Sequence, residues 1–296
     1  MPTLAPIVWL MAARPKTLWA AVAPVVIGIA MAIADGVEHA LAASLALLGA
    51  VLIQVGTNFY NGYADFKKGG DTEARLGPTR VTQAGLVSPN AVLGATVVAF
   101  GLAVVAGGYL MWRGGWPIVA VGALSILFGV LYTAGRYSLA YLGISDVFVL
   151  IFFGPVAVGG TYYVQALALP ADVIVAGLAP GLLSMAILLV NNIRDVQTDR
   201  KAGKRTLIVR IGRRAGVVLY IATVLSAFIV PPVLLLLDRG HAGVLITLLA
   251  LPLALVNIMT LIRTKPSEAV KLNPLLGRTA QLLLLFSILF AIGWNL

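Results

Sequence analysis

Long apolar stretches alternate with short polar connections along almost the whole chain. A bilayer core takes about 20 apolar residues per helix, so this pattern predicts about nine membrane-spanning helices. The predicted spans run near residues 17–34, 40–60, 91–112, 116–134, 144–165, 173–193, 215–237, 242–262 and 279–295. No stretch remains for a soluble domain, so residues 1–296 are expected to form a single all-α membrane domain.

The composition supports this interpretation. Of the 296 residues, 60% are hydrophobic and only 11% are charged, and the mean hydropathy of +0.99 is far above that of an average soluble domain. The chain has no cysteine, which excludes disulfides, thiolate metal sites and cysteine nucleophiles. His39 and His241 lie in short predicted connections and offer few ligands for haem or zinc. The basic start at Arg14 lacks a signal-cleavage pattern, so the first span is expected to stay.

The net charge of +10 is distributed unevenly over the predicted connections. If the first segment is cytoplasmic, all of the 21 lysines and arginines except Arg113 and Arg239 fall on the cytoplasmic side. This asymmetry follows the positive-inside rule and predicts a cytoplasmic N-terminus. The basic excess therefore indicates topology and contact with anionic headgroups of the bilayer, and nucleic acid is not expected as a partner.

Two polar motifs follow the second and sixth predicted spans at their cytoplasmic ends. The first covers residues 58–65, with Asp71 after it, and the second covers residues 191–200. Asn58, Asn61 and Asp65 have i, i+3, i+7 spacing, and Asn191, Asp195 and Asp199 have i, i+4, i+8 spacing, so each set would share one helical face. A long connection, about 61–90 or 194–214, starts within or just after each motif and is expected to form a lid or binding element.

These faces carry oxygen ligands of the kind that Mg²⁺ prefers. Magnesium usually takes one or two protein carboxylates together with water and substrate phosphates. The candidate ligands are Asp65, Asp71, Asp195 and Asp199, helped by the neighbouring asparagines. Two Mg²⁺ ions would offset the repulsion between four carboxylates and a diphosphate. The cations that could hold the remaining phosphate oxygens are Lys67, Lys68, Arg194, Arg200, Lys204 and Arg205.

A single acidic pair at a helix end is more typical of a solvated cap or a salt-bridge partner. Two asparagine-plus-aspartate motifs on one side of a chain with only 11 acidic residues favour a metal-diphosphate site instead. A diphosphate held at the membrane surface, on a group that enters the hydrocarbon, implies a polyprenyl diphosphate. Metal binding would then stabilise the leaving diphosphate and promote an allylic carbocation for an electron-rich acceptor to capture.

Taken together, the two motifs resemble those of the intramembrane aromatic prenyltransferases, the UbiA superfamily. The similar stretches are residues 13–18, 77–85, 153–163 and 191–207, and the likeness extends from about residue 8 to the C-terminus. The resemblance implies about nine helices bundled around a central cavity. It is strongest to the members that transfer a polyprenyl group to 1,4-dihydroxy-2-naphthoate in menaquinone synthesis, in the inner membrane of prokaryotic cells.

The resemblance also implies roles for individual residues. Asp65, Asp71, Asp195 and Asp199 would be Mg²⁺ ligands, directly or through water. Asn61 and Asn192 would shape the site, and Lys204 and Arg205 would engage the diphosphate. Gly62 stands where relatives often have aspartate, which removes one carboxylate from the first motif. The prenyl group would replace the acceptor carboxylate, with demethylmenaquinone, CO₂ and diphosphate as products.

Several further residues have two interpretations each. Arg136 or Arg14 could bind the acceptor carboxylate, or could anchor a helix end at the headgroups. Asp146 could orient an acceptor hydroxyl or act as a base, or could cap a helix N-terminus. Tyr60 and Tyr63 could shield a carbocation through cation-π contact, or could belong to the interfacial aromatic belt.

Two rival functions remain open at this point. A secondary transporter could also carry acidic residues at helix ends, but the middles of the predicted spans hold almost no ionisable residues, which argues against a charged translocation path. A prenyltransferase of the same fold could use another acceptor, such as 4-hydroxybenzoate, homogentisate or haem.

Overall fold

A computed structural model of the chain describes residues 5–69, 76–78, 80–135, 138–237 and 241–296. Two of the candidate site residues, Asp71 and Arg136, lie outside the described residues. The regular elements in the described ranges are all helical, without a β-strand, which confirms the predicted all-α class.

The helices follow one another with short connections. The first half contains α1 (Ala5–Ala13), α2 (Pro15–Ala34), α3 (Ala40–Lys67), α4 (Pro89–Gly114), α5 (Trp116–Leu131) and α6 (Leu139–Leu142). Next come α7 (Ser145–Ile151), a π-helical turn (Phe152–Val156), α8 (Ala157–Ala166), α9 (Ala171–Lys201), α10 (Leu207–Ala227) and α11 (Val230–Leu236). The chain ends with a 3₁₀ segment (Ala242–Ala250), α12 (Leu251–Arg263), a second 3₁₀ segment (Pro266–Lys271) and α13 (Leu272–Trp294).

Eight helical segments of the described chain are long and apolar enough to cross a membrane. The helix α5 is apolar but has only 16 residues, which gives a length of about 24 Å at 1.5 Å per residue. The chain is therefore a multi-pass membrane protein. The predicted count of nine spans is reached only if α5 is included, and that count and the cytoplasmic N-terminus stay predictions.

The two connections that follow the polar motifs are shorter than predicted. The sequence pattern placed loop residues from about 61 and about 194, but α3 continues to Lys67 and α9 continues to Lys201. Only residues 202–206 connect α9 to α10, where Gly203 has φ +71° and the Thr206 hydroxyl accepts from Val209 N. The prediction was wrong because hydropathy falls where the polar residues start, although those residues remain helical and face other protein groups.

The helix α9 occupies the centre of the bundle. Of its most apolar 18-residue window, 67% is buried inside the protein, whereas the value for α3 is 17%. The segment from α7 to α8 approaches α9 very closely, because a Cβ atom on Gly181 would lie only 2.4 Å from the backbone oxygen of Leu150. Next to this contact, the π-helical turn between α7 and α8 contains Gly154, whose backbone is not helical, and Pro155. Large side chains at the periphery, such as Trp112 and Trp116, are exposed, as is typical of a lipid-facing surface.

Candidate functional site

A central cavity of about 520 Å³ lies inside the bundle. Most of its wall consists of apolar or small residues from α2, α3, α5, α7, α8 and α9. At the end where α3, α5 and α9 terminate, the wall becomes polar; we call this group the polar mouth, and it consists of Arg14, Thr17, Asn58, Asn61, Tyr132 and Asn191. The opposite end is lined by the buried side chains of Leu110, Ile118 and Val164.

The first motif lies on one buried face of α3, as its spacing predicts. Asn58, Asn61 and Asp65 are all less than 8% exposed. The Asn58 side chain donates to the carbonyl oxygen of Ala13 at 2.8 Å and to the Thr17 hydroxyl at 3.1 Å. The motif is thereby held against the junction of α1 and α2.

The turn after α5 packs against the same motif. The Thr133 hydroxyl donates to Asn61 Oδ1, and Lys68 Nζ donates to the Thr133 carbonyl oxygen. Burial lowers the pKa of Lys68, although the carboxylate of Asp65 opposes this shift. The first motif is therefore held on one side by the junction of α1 and α2 and on the other by the turn after α5.

Asp65 is held by two cations from distant parts of the chain. Arg80 Nη2 donates to Asp65 Oδ2 at 3.1 Å, and Lys204 Nζ lies 3.9 Å from Asp65 Oδ1. Asp65 Oδ1 is buried and accepts no hydrogen bond within the described residues. One carboxylate oxygen of the first motif is therefore still available to a ligand.

The second motif is organised around a buried arginine. Arg194 is 2% exposed and donates to both carboxylate oxygens of Asp195, at 2.8 and 2.5 Å. It also donates to Asn191 Oδ1 at 2.7 Å and to Asn273 Oδ1 of α13 at 2.8 Å. These bonds fix Asp195 and Asn191 relative to the C-terminal helix.

Lys204 brings the two motifs together. Its ammonium nitrogen lies 3.9 Å from Asp65 Oδ1 and 4.0 Å from Asp199 Oδ1. It also lies 5.7 Å from the centre of the Tyr141 ring, and Lys68 Nζ lies 4.7 Å from the same ring. Carboxylates from two stretches about 130 residues apart thus meet at one cation beside the polar mouth.

The donor set fits a divalent cation that binds together with its substrate. In the described chain, no three histidine or acidic side chains lie close enough to hold a metal ion by themselves. Mg²⁺ needs only one or two carboxylates when substrate phosphates complete its shell. Asp65 Oδ1, which is buried and accepts no hydrogen bond within the described residues, and the carboxylate of Asp199 supply such oxygens.

Other candidate residues lie outside this cluster. Lys67, Arg200 and Arg205 are exposed, and Asn192 is buried beside the cavity without lining it. Tyr60 and Tyr63 do not line the cavity either; their ring centres lie 6.2 Å apart, and Tyr63 packs against a hydrophobic cluster around Phe59. The structure gives no support to their predicted role in shielding a carbocation.

Asp146 is 1% exposed and lies in the first turn of α7. The residue at the N-cap position of α7 is Ile144, and no side-chain hydrogen bond caps this helix. Asp146 is therefore not the capping residue of α7, and its predicted role towards an acceptor stays open.

Sequence reasoning missed an aromatic group on the cavity wall. Phe128, Phe148 and Phe152 all line the cavity, with ring centres 4.6, 5.2 and 6.4 Å apart. Phenylalanines in apolar spans resemble ordinary lipid-facing residues, so no sequence signal separates them. Arg80, the partner of Asp65, was present in the stretch 77–85 but had not been assigned a role.

Comparisons with known proteins show what the chain is similar to. Residues 21–285 match the family described as the UbiA prenyltransferase family. The chain is 36% identical over 293 residues to the 1,4-dihydroxy-2-naphthoate octaprenyltransferase of Escherichia coli, covering 96% of this chain and 94% of that protein. It is 33% identical over 294 residues to the protein of the same name from Haemophilus influenzae, with the same two coverages of 96% and 94%.

Solved structures support the fold. A UbiA homolog from Archaeoglobus fulgidus bound to DMAPP and Mg²⁺ is similar with a TM-score of 0.64 at 14% identity, covering 96% of this chain and 99% of that one. The same homolog has also been solved with Cd²⁺, at a TM-score of 0.65 and 14% identity, with coverages of 96% and 99%.

Proposed function

This chain belongs to the UbiA prenyltransferase family, and on that basis we propose that it transfers a polyprenyl group from polyprenyl diphosphate to 1,4-dihydroxy-2-naphthoate. The observation that carries the proposal is the meeting of Asp65 and Asp199 at Lys204, beside the polar mouth of an apolar cavity. A lipid with a diphosphate head matches both parts of this arrangement.

The polar mouth would hold the diphosphate. Asp65, Asp195 and Asp199, with Asp71 from outside the described residues, would bind Mg²⁺, two ions in all. When bound, the metal supplies Lewis-acid stabilisation to the leaving diphosphate. Lys204 lies close enough to the carboxylates to engage phosphate oxygens by charge-assisted hydrogen bonds.

The apolar part of the cavity would hold the prenyl tail. On α3 alone the cavity wall extends from Asn61 to Ala46, a distance of about 22 Å at 1.5 Å per residue. Phe128, Phe148 and Phe152 line the wall below the polar mouth. Aromatic rings attract cations, so these side chains would stabilise the positive charge that develops on the allylic carbon.

The acceptor would enter with its carboxylate at the polar mouth. Arg14 lines this part of the cavity and has the left-handed backbone conformation, with φ 53°, which is costly for a residue other than glycine. It is the described cation best placed for the carboxylate; Arg136 is the second candidate. The ring carbon would attack the allylic cation, and the bond to the carboxylate would break, so that its electrons restore the aromatic ring and CO₂ departs. Demethylmenaquinol, the two-electron-reduced form of demethylmenaquinone, and diphosphate would be the other products.

We place the polar mouth on the cytoplasmic side of a bacterial inner membrane, because nearly all lysines and arginines fall at that side of the predicted topology. The chain has no native cysteine, so single cysteines report sidedness directly. An impermeant maleimide should label Ser267→Cys only after the cells are permeabilised, and labelling in intact cells would reverse the topology.

The function is tested by an acceptor panel with one fixed polyprenyl diphosphate. Purified protein in detergent should prenylate 1,4-dihydroxy-2-naphthoate with Mg²⁺ and should fail in excess EDTA. It should give little product with 4-hydroxybenzoate or homogentisate. Preference for one of those acceptors would change the assigned substrate, and no product with any acceptor would favour a transporter.

A further inference from the structure

A second level of polar side chains lies deeper in the central cavity than the polar mouth. Gln54 of α3, Ser125 of α5 and Ser184 of α9 all line the cavity wall. Each precedes a residue of the polar mouth by seven positions; those residues are Asn61, Tyr132 and Asn191. Seven residues correspond to nearly two helical turns and a rise of about 10 Å, so each pair shares a face of its helix.

The three helices end at the same side of the bundle. Thr133, two residues after α5, donates to Asn61 near the end of α3. Lys204, three residues after α9, adjoins Asp65 of α3. The three deeper residues therefore lie at about the same depth. We call Gln54, Ser125 and Ser184 the deep polar level.

Ser184 is the member of this level whose hydrogen bonding is incomplete within the described residues. Its side chain is 3% exposed, and its hydroxyl oxygen has no hydrogen-bond partner among the described residues. Buried hydroxyls in helices usually donate to a carbonyl of the preceding turn, as Thr96 and Thr279 do in this protein. A buried polar group without a partner is unfavourable, so a ligand in the cavity is the natural partner for Ser184.

A prenyl tail offers no hydrogen bond at this depth, whereas the proposed acceptor does. With its carboxylate at Arg14, 1,4-dihydroxy-2-naphthoate would direct its 4-hydroxyl away from the polar mouth. Between the two levels, Phe128 lies on the same helix as Ser125 and forms part of the aromatic wall. Stacking of the naphthalene rings on that wall would align the 4-hydroxyl with the deep polar level.

We infer that Ser184, assisted by Gln54, binds the 4-hydroxyl of the acceptor, the one farthest from its carboxylate, and thereby selects a dihydroxylated ring. This inference rests on the proposed function. A serine hydroxyl and a carboxamide can each both donate and accept, so they can satisfy a ring hydroxyl together. Sites that bond a substrate hydroxyl discriminate strongly against analogues that lack it, because their own polar groups are then left unpaired.

The test is equilibrium binding of two naphthoates without prenyl donor, in the presence of Mg²⁺ and diphosphate. The probes are 1,4-dihydroxy-2-naphthoate and 1-hydroxy-2-naphthoate, which differ only in the 4-hydroxyl. In the unmodified protein the dihydroxy compound should bind about tenfold more tightly, as expected for one or two hydrogen bonds. Ser184→Ala should remove most of this preference by weakening only the dihydroxy compound, and Gln54→Leu should act in the same direction.

Ser287→Ala is the matched control. Ser287 is also fully buried with an unpartnered hydroxyl, but it lies on α13 and does not line the cavity. It should leave both affinities unchanged. The measured quantity is the ratio of the two naphthoate affinities in each protein. A general loosening of the fold weakens both ligands alike and therefore cancels from this ratio.

Three results for Ser184→Ala would overturn this inference and leave the proposed function standing. Both naphthoates could bind equally more weakly, or the preference for the dihydroxy compound could be unchanged while the variant still turns over dihydroxynaphthoate. A selective rise in the KM of the prenyl diphosphate would assign the deep polar level to the prenyl tail. Failure of the unmodified protein to bind or prenylate either naphthoate would instead overturn the proposed function.

Discussion

At the scale of single residues, the two aspartates of the second motif have different surroundings. Asp195 is paired with Arg194, whose side chain is only 1% exposed. Asp199 lies 4.0 Å from Lys204, whose side chain is 17% exposed. The role of Mg²⁺ ligand that the resemblance implies for Asp195 predicts that Asp195→Asn costs more activity than stability. The burial of Arg194 changes that expectation, because the variant leaves a buried cation without its carboxylate.

We therefore expect Asp199→Asn to affect mainly turnover and Asp195→Asn to affect the free energy of unfolding as well. Asp199→Asn should lower kcat by at least about 100-fold through loss of charge stabilisation, while the free energy of unfolding changes by less than about 1 kcal/mol. Asp195→Asn should lower the free energy of unfolding by about 3 kcal/mol. The measurements are turnover and denaturation in detergent.

Glu268→Gln serves as the control, because Glu268 forms an exposed pair with Lys271 away from the cavity. It should change neither quantity. Normal turnover by Asp199→Asn would remove this residue from the site, and a normal free energy of unfolding for Asp195→Asn would show that Arg194 does not depend on its carboxylate.

Helical spacing predicts the shared faces of the motifs, since Asn58, Asn61 and Asp65 need only the geometry of α3 to line up. It does not predict what lies opposite them. Ser184 and Phe128 line the cavity because of the way the helices pack together, which the spacing of residues along one helix does not determine. In a chain so rich in apolar residues, a single serine or phenylalanine within a span carries no distinguishing signal.

At the scale of elements, the spans could be predicted because bilayer thickness fixes their length. The ends of α3 and α9 could not, since hydropathy falls at residues 61 and 194 while the helices continue to Lys67 and Lys201. Helical structure beyond the apolar stretch depends on contacts between elements, such as the bonds from Arg194 to Asn273 of α13.

The contact of α7 with α9 depends on glycine. A methyl group at Gly181 would meet the Leu150 backbone oxygen at 2.4 Å, so Gly181→Ala should lower the free energy of unfolding by about 1–3 kcal/mol. Gly122 faces the cavity with nothing within 4 Å of an added Cβ. Denaturation should therefore find Gly122→Ala within about 1 kcal/mol of the unmodified protein. Equal losses of stability in the two variants would show that the close contact at Gly181 does not decide the cost.

At the scale of the whole molecule, the fold makes one compartment with two chemical characters. The polar mouth gathers residues from the start of α2 and the ends of α3, α5 and α9. Apart from the deep polar level, the interior is mostly apolar, and it continues through the bundle to Leu110 and Ile118. An amphiphilic substrate with a charged head and a long tail matches this division, whereas a small soluble substrate would use only the mouth.

The central claim is that carboxylates of both motifs act jointly on one metal-bound prenyl diphosphate. The most direct measurement is the affinity of purified protein for geranyl diphosphate, with Mg²⁺ and with EDTA, in the unmodified chain, Asp65→Asn, Asp199→Asn and the double variant. We predict that Mg²⁺ strengthens binding at least about tenfold and that the double variant loses no more than the weaker single variant. Equal affinity with and without Mg²⁺ in the unmodified chain, or fully additive losses in the double variant, would contradict the claim.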